Sequence, residues 1–399
     1  MTQLTIGQTI DEIKSALSDY IEATYHVGHP ALVSQRKSLL AEEGTIFRAP
    51  YLESTPRYQL GRRYAQLAIP SAAKELFALM SESDPPLIYD PPYSHQAIAL
   101  EESIGENRNL VITTGTGSGK TESFLLPIFA RLAGEARDTP ASFATPAVRA
   151  ILLYPMNALV NDQLGRLRLL LGNASVSELF MAWAGRPARF ARYTSRTLYP
   201  GVRTAKKDQD RLRPIERFYV SLLEQAADPA SLQREAAVAL IDNLRRRGKW
   251  PAKGDLPAWY GAKGSRWTNR NGDFVRAVMR PDDPELLTRD EVLTHPADVL
   301  ITNYSMLEYM MMRPLERPIF DATRNWLSEN PEQKLLLVVD EAHLYRGAAG
   351  AEVGLLLRRL RARLGIPEDQ LQVICTSASF ANPEYAREFG AQLTGTSSD

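Results

Sequence analysis

The chain has 399 residues, of which 44% are hydrophobic and 24% charged, the composition of an ordinary globular protein with room for two or three domains. Forty-seven basic residues balance forty-seven acidic ones, so net charge points to no partner. The lone cysteine, Cys375, excludes an internal disulfide and suits a reducing compartment. No basic-then-apolar leader follows Met1, and every apolar run is far shorter than the roughly 18–20 residues that span a bilayer. A cytoplasmic protein without membrane contact is the expectation.

Residues 1–90 read as a helical accessory region. Ile10, Ile13, Leu17 and Ile21 recur at helical spacing, and the breakers Asp84-Pro85-Pro86 and Asp90-Pro91-Pro92 close the segment. From about residue 93 short apolar runs alternate with amphipathic stretches. The runs predict strands at 109–113, 149–154, 178–183, 298–302, 335–340 and 371–376. Such alternation implies an α/β fold, a parallel sheet with helices on both faces. Residues 186–289 break the pattern. They hold 22 Lys and Arg against 12 Asp and Glu, a net of +10 that leaves −10 elsewhere. Phe190, Tyr193, Tyr199, Trp250, Trp259, Tyr260 and Trp267 are interleaved with that charge. The stretch is expected to be an insertion in an α/β domain formed by 91–185 and 290–395. The tail from Thr394 to Asp399 reads as a frayed end or the start of a linker.

The octet Thr114-Gly115-Thr116-Gly117-Ser118-Gly119-Lys120-Thr121 lies between the apolar run Leu110-Val111-Ile112 and the helical run from Ser123. A strand, a glycine-rich turn, a lysine and a hydroxyl at a helix start make a phosphate cradle. The strict pattern wants glycine where Thr114 stands. Gly117 and Gly119 let backbone N–H groups approach phosphate oxygens without Cβ clashes. Thr116 and Ser118 complete the loop. Lys120 would reach the β- and γ-phosphates, and Thr121 would ligate Mg²⁺. A second motif, Asp340-Glu341-Ala342-His343, ends the run Leu335–Val339, which suits a strand buried on both faces. Asp340 would then emerge at the carboxyl edge of the sheet and hold Mg²⁺, while Glu341 would orient or deprotonate the attacking water. Adjacent carboxylates at that place also suit a helix N-cap.

These two motifs, followed by Thr376-Ser377-Ala378-Ser379, resemble motifs I, II and III of the superfamily 2 helicases of the DEAD/DEAH type. Tyr93-Ser94-His95-Gln96 resembles the adenine-reading Q motif, and Gln96 would select ATP through the N6 and N7 edge. Tyr154-Pro155-Met156-Asn157-Ala158-Leu159 resembles motif Ia, Ala184-Gly185 after a strand the glycine motif, and Ile301–Leu307 motif Ib. The form of motif Ia and Tyr51-Leu52-Glu53 upstream are most similar to large bacterial helicases with a C-terminal zinc-binding region, a group that includes repair helicases and those of antiphage systems such as DISARM and Druantia.

The resemblance implies a RecA-like P-loop lobe with ATP and Mg²⁺ as cofactors. It implies that His343 couples the ATP site to Ser377 and Ser379. It also implies that Asn157, Asn161, Gly185, Thr302, Asn303 and Ser305 meet the backbone of one nucleic-acid strand, which positions the strand without reading sequence. The basic stretch, with Arg245, Arg246 and Arg247, would grip DNA beside the lobe, and its aromatics would stack bases.

Twenty residues follow Ser379, too few for the second RecA-like lobe that supplies motifs IV to VI and an arginine finger. That lobe is expected in the same polypeptide or in another. No nuclease, zinc or acyl-transfer constellation is present, and five histidines and one cysteine show no metal-ligand spacing. The leading expectation is an ATP-driven motor on DNA rather than RNA, engaging a single strand or a duplex with a single-stranded end. The alternative is an ATP-binding scaffold or switch that recruits protein partners through the N-terminal helices and the basic stretch.

Overall fold

The computed structural model describes residues 5–48, 57–115, 117–198, 201–378, 380 and 382–395. Thr116, Tyr199, Ser379 and Tyr51-Leu52-Glu53 lie outside the described residues. The chain divides into two units, Met1–Arg57 and Tyr58–Asp399. The described part of the first unit holds helices α1 (Ile6–Thr24) and α2 (Pro30–Ala41). Thr5 starts α1 with a capping box: its hydroxyl accepts from the Gln8 N–H, and the Gln8 side chain accepts from the Thr5 N–H.

The second unit is built on seven parallel strands: β1 (Leu110–Thr113), β2 (Ala150–Tyr154), β3 (Phe190–Arg192), β4 (Glu285–Leu286), β5 (Val299–Asn303), β6 (Leu335–Val339) and β7 (Leu371–Ser377). Their order across the sheet is β1-β7-β6-β2-β5-β3-β4. Side chains alternate between the two faces, as the strand period of two requires. Leu152, Ile301, Leu336, Val338 and Ile374 join one apolar core, while Ile151, Leu153, Leu300, Leu337, Val339 and Cys375 join another. The first core is covered by α3 (Ser71–Glu82), α4 (Ser94–Ile104), α5 (Lys120–Asp138), α6 (Pro140–Ala144), α7 (Asn157–Leu170) and α8 (Ala174–Ala184).

Two expectations change here. The run 178–183 is not a strand: it lies in α8, whose N-cap Asn173 accepts from the N–H groups of Ser175 and Val176. Val176 and Phe180, one turn apart, are its buried residues, so helical spacing wins over local apolarity. The third strand is 190–192, inside the stretch expected to be an insertion. Part of the helical region expected over 1–90 packs with the α/β unit, which begins at Tyr58. α3 buries Ala72, Ala73, Leu76, Phe77 and Met80 in the core of the α/β unit.

Between β3 and β4 the chain makes a long excursion with α9 (Ala205–Ile215), α10 (Ser221–Ala227), α11 (Arg234–Arg246) and α12 (Leu256–Tyr260). It has its own apolar core of Leu212, Ile241, Trp250, Leu256, Trp259 and Tyr260. The aromatics expected to stack bases are spent there or in the sheet: Trp259, Tyr260, Phe190 and Tyr193 are 0–3% exposed. After β4, α13 (Arg289–Thr294), α14 (Tyr304–Met312), α15 (Arg317–Glu329), α16 (Gly347–Leu364) and α17 (Pro383–Thr394) cover the second face.

The excursion is locked to the lobe. Arg168 on α7 makes two hydrogen bonds to Glu285 at 2.7 and 2.8 Å, and Glu285 also accepts the Ala252 N–H at 2.8 Å. Gly248, with φ +61°, lies so close to Gly165 of α7 that a Cβ on it would overlap the Gly165 carbonyl. Below the sheet, buried Arg149 binds Glu135 at 2.6 Å and Asp298 at 2.8 Å, and Arg186 binds Asp298 at 2.7 Å. This network ties the starts of β2 and β5 together. Replacing Glu285 with Ala leaves Arg168 and the Ala252 N–H without their acceptor in a nearly buried setting. It should lower stability by about 3 kcal/mol, read by denaturant unfolding. Unfolding at the wild-type midpoint would refute the lock.

Candidate nucleotide and nucleic-acid site

Because all seven strands are parallel, the loops that follow β1, β6, β7, β2, β5 and β3 leave the same edge of the sheet. β1 and β7 are in register from Leu110 opposite Ile374 to Thr113 opposite Ser377, which sets the phosphate loop beside motif III. β6 lies between β7 and β2, which puts Asp340 between them.

The loop ends in Gly119, whose left-handed backbone (φ +76°) starts α5 at Lys120. A Cβ there would collide with the Gln96 amide. The Ser118 hydroxyl donates to the Thr114 hydroxyl at 2.8 Å, so the threonine in the unusual first position braces the loop. Gln96 is buried; its Nε2 donates to the Gly119 carbonyl at 2.9 Å and its Oε1 accepts from the Tyr93 N–H at 2.9 Å. Each end of the amide keeps one further bonding position. Beside it, the rings of Tyr58, Tyr93 and His95 lie within 5.6–5.9 Å of one another. Burial pulls His95 below the usual histidine range, opposed by the hydrogen bond its ring donates to the Ser118 backbone.

The Lys120 ammonium is buried and has no hydrogen-bond partner among the described residues; it lies 3.7 Å from Glu341 Oε1. An orphaned cation at a helix start fits a phosphate group. Thr121 follows it on the first turn of α5. Asp340 accepts from the Thr376 hydroxyl and, at 2.9 Å, from the Glu341 N–H. Burial raises the Asp340 carboxyl above its usual range, opposed by the Thr376 hydrogen bond. Glu341 sits in the left-handed region (φ +51°), a conformation rare for a residue with a side chain and concentrated at functional turns. His343 Nδ1 lies 3.3 Å from Glu341 Oε2 and 3.1 Å from Ser377 Oγ, and so joins motif II to motif III. Ser379, the other expected partner, lies outside the described residues.

Two residues outside the sequence motifs, Tyr58 and Tyr345, join this site, as do Tyr154 and Thr376, which open motifs Ia and III but had no expected role of their own. The Tyr154 and Tyr345 hydroxyls are buried without hydrogen-bond partners among the described residues. Burial, then Asp340 and its neighbours, pushes both phenols up. Burial likewise pushes the Cys375 thiol up to about 12, so it is an inert core residue.

Along the same edge, Asn157 and Asn303 face each other, Asn303 Nδ2 donating to Asn157 Oδ1 at 2.7 Å. Asn303 also caps α14 through the Met306 N–H. Asn161 accepts from Arg192 at 2.7 Å, and Ser305 is exposed. Thr302 is fully buried, and its hydroxyl donates to the Tyr193 carbonyl at 2.7 Å, so it fixes the turn after β3 and does not face solvent. Gly185 follows a helix, not a strand, and caps α8. The structure does not bring Arg245, Arg246 and Arg247 to this edge; they end α11 in the excursion and line a groove against α7 and α8.

A parallel α/β lobe with a phosphate loop, an Asp-Glu-Ala-His turn and a Thr-Ser strand end at one edge defines a nucleotide-binding helicase-type lobe. Residues 93–193 match the DEAD/DEAH box helicase family, and the chain carries a DEAD/DEAH helicase domain. It is 45% identical over 406 aligned residues to Druantia protein DruE of Escherichia coli (strain UMEA 4076-1), covering 98% of this chain and 21% of that protein. An uncharacterised ATP-dependent helicase of Methanocaldococcus jannaschii is 34% identical over 110 residues, 28% of this chain and 15% of that protein. The solved structure of the DUF1998 helicase MrfA bound to DNA is similar with a TM-score of 0.45 and 20% identity, over 92% of this chain and 34% of that one. The chain thus spans about a fifth of the length of DruE. Among the described residues no helix is long and apolar enough to cross a membrane.

Lys120→Ala removes the orphaned cation. Affinity for a fluorescent ATP analogue should fall about 10- to 100-fold, the worth of a hydrogen bond to a charged group. Equal affinity by titration would remove Lys120 from the phosphate site.

Proposed function

We propose that this chain is the ATP-binding motor lobe of a DNA helicase or translocase that works in antiphage defence or DNA repair. One observation carries the reading: the buried Lys120 ammonium, without a hydrogen-bond partner among the described residues, sits 3.7 Å from Glu341 at a sheet edge shared with Asn157, Asn303 and Ser305. Lys120 and the loop of Thr116, Gly117, Ser118 and Gly119 would hold the phosphates. Tyr93 and Gln96 would hold the adenine side. Thr121 and Asp340 would ligate Mg²⁺, and that ion, when bound, neutralises phosphate charge. Glu341 orients the attacking water and takes its proton. His343 passes the state of Glu341 to Ser377 and from there to the strand-facing edge.

On that edge Asn157, Asn161, Asn303, Ser305 and Gly185 would meet one strand. The similarity to DruE, a Druantia protein, supports a role in antiphage defence. Full hydrolysis would need a second RecA-like lobe in the same polypeptide or another, since its arginine finger is worth roughly 10³–10⁵ in rate. On its own the 399-residue chain should bind Mg·ATP, turn it over slowly and leave duplexes intact.

Glu341→Gln tests the motor. In the assembly with its second lobe, ATPase turnover should fall about 10²–10⁴-fold, the usual loss of a general base, while ATP stays bound and unwinding stops. A biological function that survives the substitution would favour a non-motor scaffold that recruits protein partners. Stimulation of turnover by RNA and not by DNA would reverse the substrate.

A further inference from the structure

The groove between the excursion and the lobe is a cationic surface, separate from the strand-facing edge. Its floor is α7 and the start of α8; its wall is the segment from Arg245 to Gly254; its volume is about 1170 Å³. Seven cationic side chains line it against two carboxylates. Three of the seven are already used: Arg168 by Glu285, Lys253 by Asp283 and Glu291, and Arg166 by Glu122. The other four, Arg245, Arg246, Arg247 and Lys249, are exposed and have no ion-pair partner among the described residues. Four unpaired cations on one wall make a local positive field that attracts a polyanion.

The chemistry of the wall selects among polyanions. Among the described residues Trp250 is the one aromatic ring lining the groove, and it is 8% exposed, edge-on to Tyr219 at 5.1 Å, with Arg245 over its face. No aromatic face is left to stack an unpaired base. A single strand would find charge there but no platform. A duplex needs none, because its bases are already stacked and it presents only phosphates.

Position agrees. α7 begins at Asn157 on the strand-facing edge and carries Arg166 nine residues on, about 14 Å along the helix axis or about four base pairs of duplex rise. The Gly165–Gly248 approach and the Arg168–Glu285 pair hold wall and floor at fixed spacing. We propose that this groove binds the phosphate backbone of the duplex that adjoins the single strand on the sheet edge. The placement of the single strand rests on the function proposed above; the groove's affinity for a duplex does not.

The test uses the chain with Arg246→Gln, Arg247→Gln and Lys249→Gln together, which spares Arg245 and its packing on Trp250. A control removes Lys263, Arg266 and Arg270 by the same change to Gln; these are exposed cations of the excursion that do not line the groove. Fluorescence anisotropy over a salt series compares a blunt duplex with an oligo-dT strand. For the groove variant, duplex affinity should fall at least about tenfold, and the slope of log affinity against log salt should flatten by about 2–3. Binding of oligo-dT and of Mg·ATP should stay at wild-type levels, and the control should leave duplex affinity unchanged. An unaltered duplex slope would overturn the proposal. So would an equal loss for oligo-dT, which would make the groove a single-strand track, or an equal loss in the control, which would reduce the effect to total charge. Mg·ATP binding and the Glu341→Gln phenotype report on the motor independently.

Discussion

Parallel pairing is the constraint on which the molecule turns. A parallel strand cannot return to its neighbour by a tight turn, so each connection must cross a face of the sheet before the next strand begins. Every strand therefore points its carboxyl end the same way. The phosphate loop, the Asp340 turn, the end of β7 and the Asn157 and Asn303 turns come from sequence positions more than 200 residues apart, yet they share one edge. At that edge the buried cation of Lys120, the raised carboxyl of Asp340 and the left-handed backbone of Glu341 all stand at a cost that the surrounding sheet over-determines. Thr376 and Ser377 reach the site only because β7 lies between β1 and β6.

Much of this edge could be read from the chain alone. The phosphate octet and the Asp-Glu-Ala-His turn are local patterns flanked by apolar runs, and local patterns survive folding. The buried strands β2, β5, β6 and β7 fall within a residue or two of their expected ranges, since a continuous apolar run between breakers has few other fates. The run 178–183 misled for the same reason: Leu179, Phe180 and Trp183 are as apolar as a strand, and only the Asn173 cap and the one-turn repeat mark a helix. β3 is three residues long and lies amid arginines, so no periodicity could announce it. Gln96, expected to read adenine, is seen bracing the phosphate loop, a contact over 23 residues that spacing cannot reveal.

The basic stretch shows how composition and geometry part company. Its net charge of +10 is real, but Arg168, Arg203 and Lys253 illustrate how cations in and around it are consumed by buried carboxylates. Its tryptophans form an apolar core, so the aromatic enrichment that suggested stacking instead reports a folded subdomain. What remains for a ligand is a small set of unpaired cations, and only the structure can separate these from the rest.

The excursion is also a connection. β3 and β4 are adjacent and parallel, Phe190 opposite Glu285, so residues 193–284 are the crossover that carries the chain from one end of the sheet back to the other. The subdomain is therefore not a bead on a surface loop. Any shortened version of this chain would need a replacement bridge as long as the sheet is tall, and a descendant that lost the subdomain would have to reinvent a crossover or surrender β4. Topology requires a crossover between β3 and β4, whatever charges that crossover carries on its surface.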